Sequence, residues 1–340
     1  MAETREAHGC LFREHRGRLG TVAAVALALA VFLSVPAVAP AQSVSIAAGP
    51  SPWTNATSAS FRLTADEPTE MECRLRDLGT WETCADGHTI DGPLAEGRYV
   101  LDVRAANGSG TPEDSWAWGV DLTPPAVARM HRTVGLWQSR RVVPLSWGAT
   151  DALSGVGNVD VRYDTWNAAG DRRNNVAWLT DTKVSGAALV GGLGRTYCLR
   201  ARSEDRARNL AVRWSRRRCV AVPLDDRALE RKGAWKRRVG SPGYFLESFL
   251  GTRERGAWIR KSVAAKRLVL LATRCPRCGS VAIRWRGRVI DRVNLHARSS
   301  TRSARIPIAS FPGLRRGTVR VEVTSSNELI RIDGLGVSAV

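Results

Sequence analysis

The chain has 340 residues, with 51 Lys and Arg against 32 Asp and Glu, for a formal net charge of +19. That length suits two or three domains, and the basic excess points to anionic partners. No P-loop, dinucleotide fingerprint or G-x-S-x-G elbow occurs, so the common nucleotide-dependent and serine-hydrolase classes find no support.

Residues 1–41 read as an export signal. Arg5, Arg13, Arg16 and Arg18 precede a charge-free apolar run over residues 21–35. Ala39-Pro40-Ala41 supplies a small-x-small site and predicts cleavage after Ala41. The alternative is an uncleaved membrane anchor, since the run approaches the roughly 20 residues that span a bilayer. Pro36 and Pro40 interrupt it, and no cysteine follows in lipoprotein fashion. No second apolar run of spanning length occurs, so no transmembrane partner is expected. The expected location is secreted or cell-surface.

Six of the seven cysteines fall in local pairs, Cys73/Cys84, Cys198/Cys219 and Cys275/Cys278. In an exported chain this predicts three disulfides, one in each of three modules. Charge divides the chain similarly. Residues 42–125 carry 5 basic and 13 acidic groups, residues 126–222 carry 17 and 7, and residues 223–340 carry 25 and 9. The sign changes at Thr123-Pro124-Pro125, a stiff joint that marks a boundary.

Within 42–125, short runs alternate at period two. Phe61, Leu63 and Ala65 share one face, Cys73 takes the apolar face of Met71 to Leu75, and Tyr99, Leu101 and Val103 face away from Val100, Asp102 and Arg104. Trp116, Trp118 and Val120 end the series. This predicts an antiparallel sandwich. A Cys73–Cys84 bond would close about a dozen residues and constrain the unfolded chain by roughly 3 kcal/mol. The stretch Ala65-Asp66-Glu67-Pro68, Glu72-Cys73-Arg74-Leu75, Trp81 to Cys84 and Gly97 to Ala105, closed by Asp121-Leu122-Thr123-Pro124-Pro125, resembles a bacterial Ig-like repeat. That repeat occurs in secreted and surface proteins. Ala106-Asn107-Gly108-Ser109-Gly110 replaces its usual aspartate-rich turn.

Residues 126–222 resemble a fibronectin type III module. Val143, Leu145 and Trp147 alternate where that family keeps a buried tryptophan, and Leu193-Gly194-Arg195-Thr196-Tyr197 is similar to its tyrosine corner. Asp205 to Asn209 matches its hairpin, although Arg208 stands where a glycine is usual, which implies strain or a different turn. Leu199 and Ala201 share the face of Tyr197. Cys198 is therefore expected to point outward with Arg200 and Arg202, bonded to Cys219 on the adjacent strand, outside the core.

Residues 223–340 begin with a polar, helix-like or irregular link, 223–232. Strand patterns follow at Arg267 to Thr273, Val281 to Trp285, Val289 to Leu295, Arg305 to Ile308, Val319 to Val323 and Ile330 to Ile332, with a tight turn at Arg286-Gly287. Trp235, Tyr244-Phe245, Gly256-Ala257-Trp258, Ser280 to Gly287 and Ile332 to Val337 are similar in order to a galactose-binding-type jelly roll. That fold occurs as a carbohydrate-binding or accessory module. The resemblance transfers no ligand residues.

Cys275-Pro276-Arg277-Cys278 has redox spacing, but it lies between strands rather than at a helix N-terminus, and no further Cys or His pair completes a zinc site. A structural turn disulfide is the preferred reading. Asp333 is expected to anchor a turn by binding backbone amides. Arg216-Arg217-Arg218 and Arg284, Arg286 and Arg288 are candidate polyanion contacts, because guanidinium forks suit carboxylate, phosphate or sulfate. The competing account is coding preference and solubility. Trp258, Trp285 and Tyr244 are candidate sugar-stacking platforms, but core packing is the preferred reading for the tryptophans.

The expected protein is all-β: three sequential sandwiches, 42–125, 126–222 and 223–340, after a signal peptide. It is expected to be a monomeric, non-enzymatic adhesion or binding protein without cofactor or metal. Its last module would contact extracellular polysaccharide or another anionic polymer. A structural spacer, or an accessory or redox protein using Cys275/Cys278, are the alternatives.

Overall fold

Alternation at period two builds strands throughout. The computed structural model describes residues 43–106, 110–131 and 135–340, and every regular element among them is a strand or a short 3-10 turn. The signal-peptide reading and part of the turn after Ala106 lie outside these residues. No helix among the described residues is long and apolar enough to cross a membrane.

The first sandwich contains β1 (Val44–Ala48), β2 (Arg62–Ala65), β3 (Met71–Leu75), β4 (Glu82–Cys84), β5 (Gly97–Ala105) and β6 (Asp114–Val120). One sheet runs β6-β5-β3-β4, and β1 pairs with β2 opposite it. Phe61, Leu63, Leu101, Val103 and Trp118 fill the space between. Cys73, buried in that core, is bonded to Cys84. Asp102 departs from the simple pattern. It lies on the outer face yet is fully buried, because Arg74, Arg76 and Ser115 close over its carboxylate.

The second sandwich contains β7 (Arg129–Met130), β8 (Val142–Gly148), β9 (Val156–Trp166), β10 (Arg172–Thr182), β11 (Gly186–Val190), β12 (Arg195–Asp205) and β13 (Arg218–Val222). The sheets run β7-β8-β11 and β10-β9-β12-β13. Trp147 is 1% exposed at their centre. The Tyr197 hydroxyl accepts the Gly192 N–H at 2.9 Å, which forms the expected corner. Arg208 does adopt a left-handed φ of 77°. The turn survives because the Asp205 carboxylate accepts both the backbone and side-chain N–H groups of Asn209, each at 2.8 Å.

Cys198 and Cys219 are bonded directly across β12 and β13, as expected of adjacent strands. Cys198 points away from the second core, as expected, although it is only 2% exposed. Its cross-strand neighbour Asp164 draws Arg172, Arg217 and the Asn175 backbone over that outer face.

The third sandwich contains β14 (Leu224–Asp225), β15 (Glu230–Lys232), β16 (Lys236–Arg238), β17 (Phe249–Thr252), β18 (Trp258–Arg274), β19 (Ser280–Trp285), β20 (Arg288–Asn294), β21 (Thr301–Val323) and β22 (Ile330–Ser338). Neighbours run β16-β17-β22-β18-β21-β19-β20, with β14 on β22 and β15 on β18. The link at 223–232 includes a 3-10 turn, Asp226–Ala228, in keeping with the helix-like expectation, but it also buries Leu224, Asp225, Asp226 and Leu229 and contributes β14 and β15. The two strands expected at 305–308 and 319–323 are one, β21, which pairs with both halves of β18 across a bulge near residue 266.

The apolar run 268–271 has its explanation here. Leu268 and Leu270 enter the third core, while Val269 and Leu271 join the core of the second sandwich together with Phe245. A strand buried on both faces loses its polar alternation.

Candidate functional site: a basic sheet face

The first half of β18 points Ile259 and Val263 inward, leaving Trp258, Arg260 and Ser262 on the outer face. β21 does the same with Val319, Val321 and Val323 inward and Thr318, Arg320 and Glu322 outward. β19 adds Arg284 between the buried Ile283 and Trp285. Register then decides what meets. Arg260 lies opposite Arg320, and Arg320 lies opposite Arg284, so three arginines form one row across three strands. Strand spacing sets a repeat of about 4.8 Å along that row.

Like charges directly opposite one another are destabilising. Two carboxylates relieve the row only in part. Glu322 accepts from Arg284 at 3.0 Å and forms an ion pair with Arg320 at 3.3 Å, and Glu230 accepts from Arg260 at 2.8 Å. Lys232 and Arg292 occupy the same face on the flanking strands, opposite Trp258 and Ala282. The face thus carries five cations against two carboxylates. Trp258 is half-buried, with the guanidinium carbons of Arg260 and Arg320 at 5.0 and 4.9 Å from its ring centroid. A cationic row spread over three neighbouring strands suits a repeating anion better than an enclosed small molecule.

The other candidate residues separate. Arg286 turns out of the row because it occupies a tight turn, φ 50° followed by φ 83° at Gly287, and its Nε donates to the Arg316 carbonyl at 2.8 Å. Arg288 is exposed beyond that turn. Arg217 is paired with Asp164, whereas Arg216 and Arg218 open onto a cleft of the second sandwich. Tyr244 is corrected as a sugar platform. It is 8% exposed, its ring stacks on Phe249 at 4.4 Å, and its hydroxyl meets Thr273 at 2.9 Å. Cys275 and Cys278 are bonded and buried within the third core.

Two carboxylate groupings escaped the sequence reading. Asp121, Asp151 and Asp205 come within 4.8 Å of one another where the first two sandwiches join. Each already accepts backbone N–H groups: Thr123 and Ser154 on Asp121, Leu153 and Gly155 on Asp151, and Asn209 on Asp205. Burial, with the charges of Asp121 and Asp151, pushes the Asp205 carboxyl up. The second grouping is Asp225, Asp226 and Asp333, all buried. Burial and the two neighbouring aspartates push Asp333 up to about 7, against hydrogen bonds from Ser303 and the Phe245 amide. Asp333 binds a backbone amide of a turn, as expected, but that turn, Phe245–Glu247, lies 88 residues earlier in the chain. Only tertiary proximity could have revealed either group.

No family model matches the sequence, and no curated protein matches it. Among solved structures, the chain is similar to fibronectin(III)-like modules of Clostridium thermocellum CbhA, with 15% identity over 53% of this chain and 93% of that one, at a TM-score of 0.32. It is also similar to a carbohydrate-binding module of the β-sandwich superfamily, with 8% identity over 63% and 98% of the two chains and a TM-score of 0.30. A family two carbohydrate esterase from Cellvibrio japonicus matches with 13% identity over 35% of this chain and a TM-score of 0.28, and the match spans only 33% of the esterase. Likenesses this distant carry no functional argument.

Proposed function

We propose that the protein is an exported, non-enzymatic binding protein whose third sandwich engages an anionic polymer outside the cell. The observation that carries this reading is the Arg260–Arg320–Arg284 row, which two carboxylates leave incompletely neutralised on a sheet face beside Trp258. A guanidinium row of this kind matches repeating carboxylate, sulfate or phosphate groups. Three disulfides accord with an oxidising compartment. Burial of Cys275 and Cys278 speaks against a thiol-exchange role.

The test is binding of residues 42–340 to polygalacturonate, a sulfated polysaccharide and polyphosphate across a salt series. Affinity should fall with salt, with a log–log slope that counts neutralised anions. Arg284→Gln with Arg260→Gln should lower that slope by about 2 while the fold survives. Salt-insensitive binding, or none at low ionic strength, would leave the spacer reading ahead.

A further inference from the structure

Asp121 follows β6 directly and ends the first sandwich, Asp151 lies in the loop between β8 and β9, and Asp205 ends β12. Their carboxylate oxygens come within 4.8 Å of one another. Asp121 and Asp205 are buried and Asp151 is half-buried. The buried aspartates Asp102, Asp164, Asp225 and Asp226 each hold an arginine. These three have no ion-pair partner among the described residues, although the chain has 51 Lys and Arg and Arg206 runs beside Gly155. Carboxylates gathered out of water repel one another unless a cation joins them. Burial and the charges of Asp121 and Asp151 push the Asp205 carboxyl up, in keeping with that repulsion.

A hydroxyl also belongs to the group. The loop 151–155 exposes Ala152 and Leu153 and buries only Ser154, which is 2% exposed. The Ser154 N–H binds Asp121 at 3.0 Å and the next one, of Gly155, binds Asp151 at 2.7 Å, so Ser154 is turned inward between those two carboxylates. Its own hydroxyl is buried and has no hydrogen-bond partner, which calls for an account. The carboxylates are not exhausted either. An ionised carboxylate has about four lone-pair sites. Each of the three uses two, on Thr123 and Ser154, on Leu153 and Gly155, and on the backbone and side chain of Asn209.

We propose that Asp121, Asp151, Asp205 and Ser154 form a calcium site that ties the first sandwich to the second. Every donor is an oxygen, which selects a hard cation. Carboxylate oxygens up to 4.8 Å apart fit across calcium, with ligands at about 2.3–2.6 Å, better than across magnesium, with ligands at about 2.0–2.1 Å. The carboxylates and the hydroxyl supply part of the roughly six to eight oxygens that calcium takes, and water supplies the rest. The ion neutralises the acidic group, gives the Ser154 hydroxyl its partner and stiffens the joint at Thr123-Pro124-Pro125. The site stands independently of the arginine row.

The experiment is calorimetric titration of chelator-stripped residues 42–340 with calcium chloride and, separately, magnesium chloride, paired with thermal unfolding in calcium and in chelator. One calcium should bind with a Kd of about 10⁻³ M or tighter, and magnesium at least tenfold more weakly. Asp151→Asn should weaken calcium at least tenfold and Ser154→Ala at least threefold. Glu67→Gln, an exposed acid of the first sandwich outside the site, should stay within twofold. Ser154→Ala removes a hydroxyl that has no partner without metal, so in chelator it should keep the parent's unfolding midpoint while losing part of the rise that calcium brings. That separates a lost ligand from a damaged fold. No binding up to about 10 mM calcium, equal binding of magnesium, or unchanged calcium affinity in either Asp151→Asn or Ser154→Ala would each overturn the proposal.

Discussion

The backbone N–H of Phe245 is held by both carboxylate oxygens of Asp333, at 2.9 and 3.0 Å, while Phe245 itself is buried in the core of the neighbouring sandwich. One fully buried acid therefore fixes a loop that bridges the second and third cores. Asp225, Asp226 and Ser303 also face that carboxyl.

Asp333 titrates near 7 when folded, far above the value near 4 of an unfolded aspartate. A raised acid binds more protons in the native state than in the unfolded one. Its stabilisation is therefore complete below pH 4 and is lost as pH rises from there through 7, by up to about 4 kcal/mol. Urea midpoints of residues 42–340 measured from pH 4 to 8 should fall over that range. Asp333→Asn should remove most of the slope, and an unchanged slope would refute the assignment.

Asp102 behaves oppositely. Burial works against its ionisation, but hydrogen bonds from Arg76, Ser115 and Arg74 outweigh it and hold the carboxyl below the ordinary range. Its contribution is present above pH 4 and fades as pH falls below that. Asp102→Ala should cost about 1–3 kcal/mol at neutral pH, limited by the solvent exposure of the arginines. Thermal unfolding followed at pH 7 and pH 3 should show the difference shrinking in acid.

Val269 and Leu271 belong to the second core although they lie on β18 of the third sandwich. Leu271→Ala should cost roughly 2–5 kcal/mol by opening a cavity in that shared core. Residues 126–340 should unfold in one transition that the mutation shifts as a whole. A calorimetric trace in which only one of two resolved transitions moved would contradict this.

The three disulfides lie within their own sandwiches. Non-reducing peptide mapping of residues 42–340 should recover these pairs and no free thiol. Removing Cys73 and Cys84 together should cost on the order of 2–4 kcal/mol, confined to unfolding of the first sandwich. Cys275 and Cys278 are 7% and 1% exposed, so insulin reduction by the protein should stay at background rate.

Local patterns carried much of this architecture. The alternation of Val143, Leu145 and Trp147, the Tyr197 corner and the Arg286-Gly287 turn depend on residues close in sequence, so steric and burial rules act on them directly. The buried face of strands such as 61–65, 99–103 and 143–147 was legible for the same reason, and so was the pairing of cysteines only 3 to 21 residues apart.

The candidate face was half legible. Spacing put Arg284, Arg286 and Arg288 together, but a left-handed turn removes Arg286 and carries Arg288 past the row. The actual neighbours, Arg260 and Arg320, come from distant strands. Their alignment with Arg284 is a matter of register, and register is set by which side chains fill the core beneath. Burial of Asp102, Cys198, Tyr244 and Asp333 has the same origin. A residue's own period chooses a face of its strand, whereas the cover over that face is supplied by parts of the chain far away in sequence.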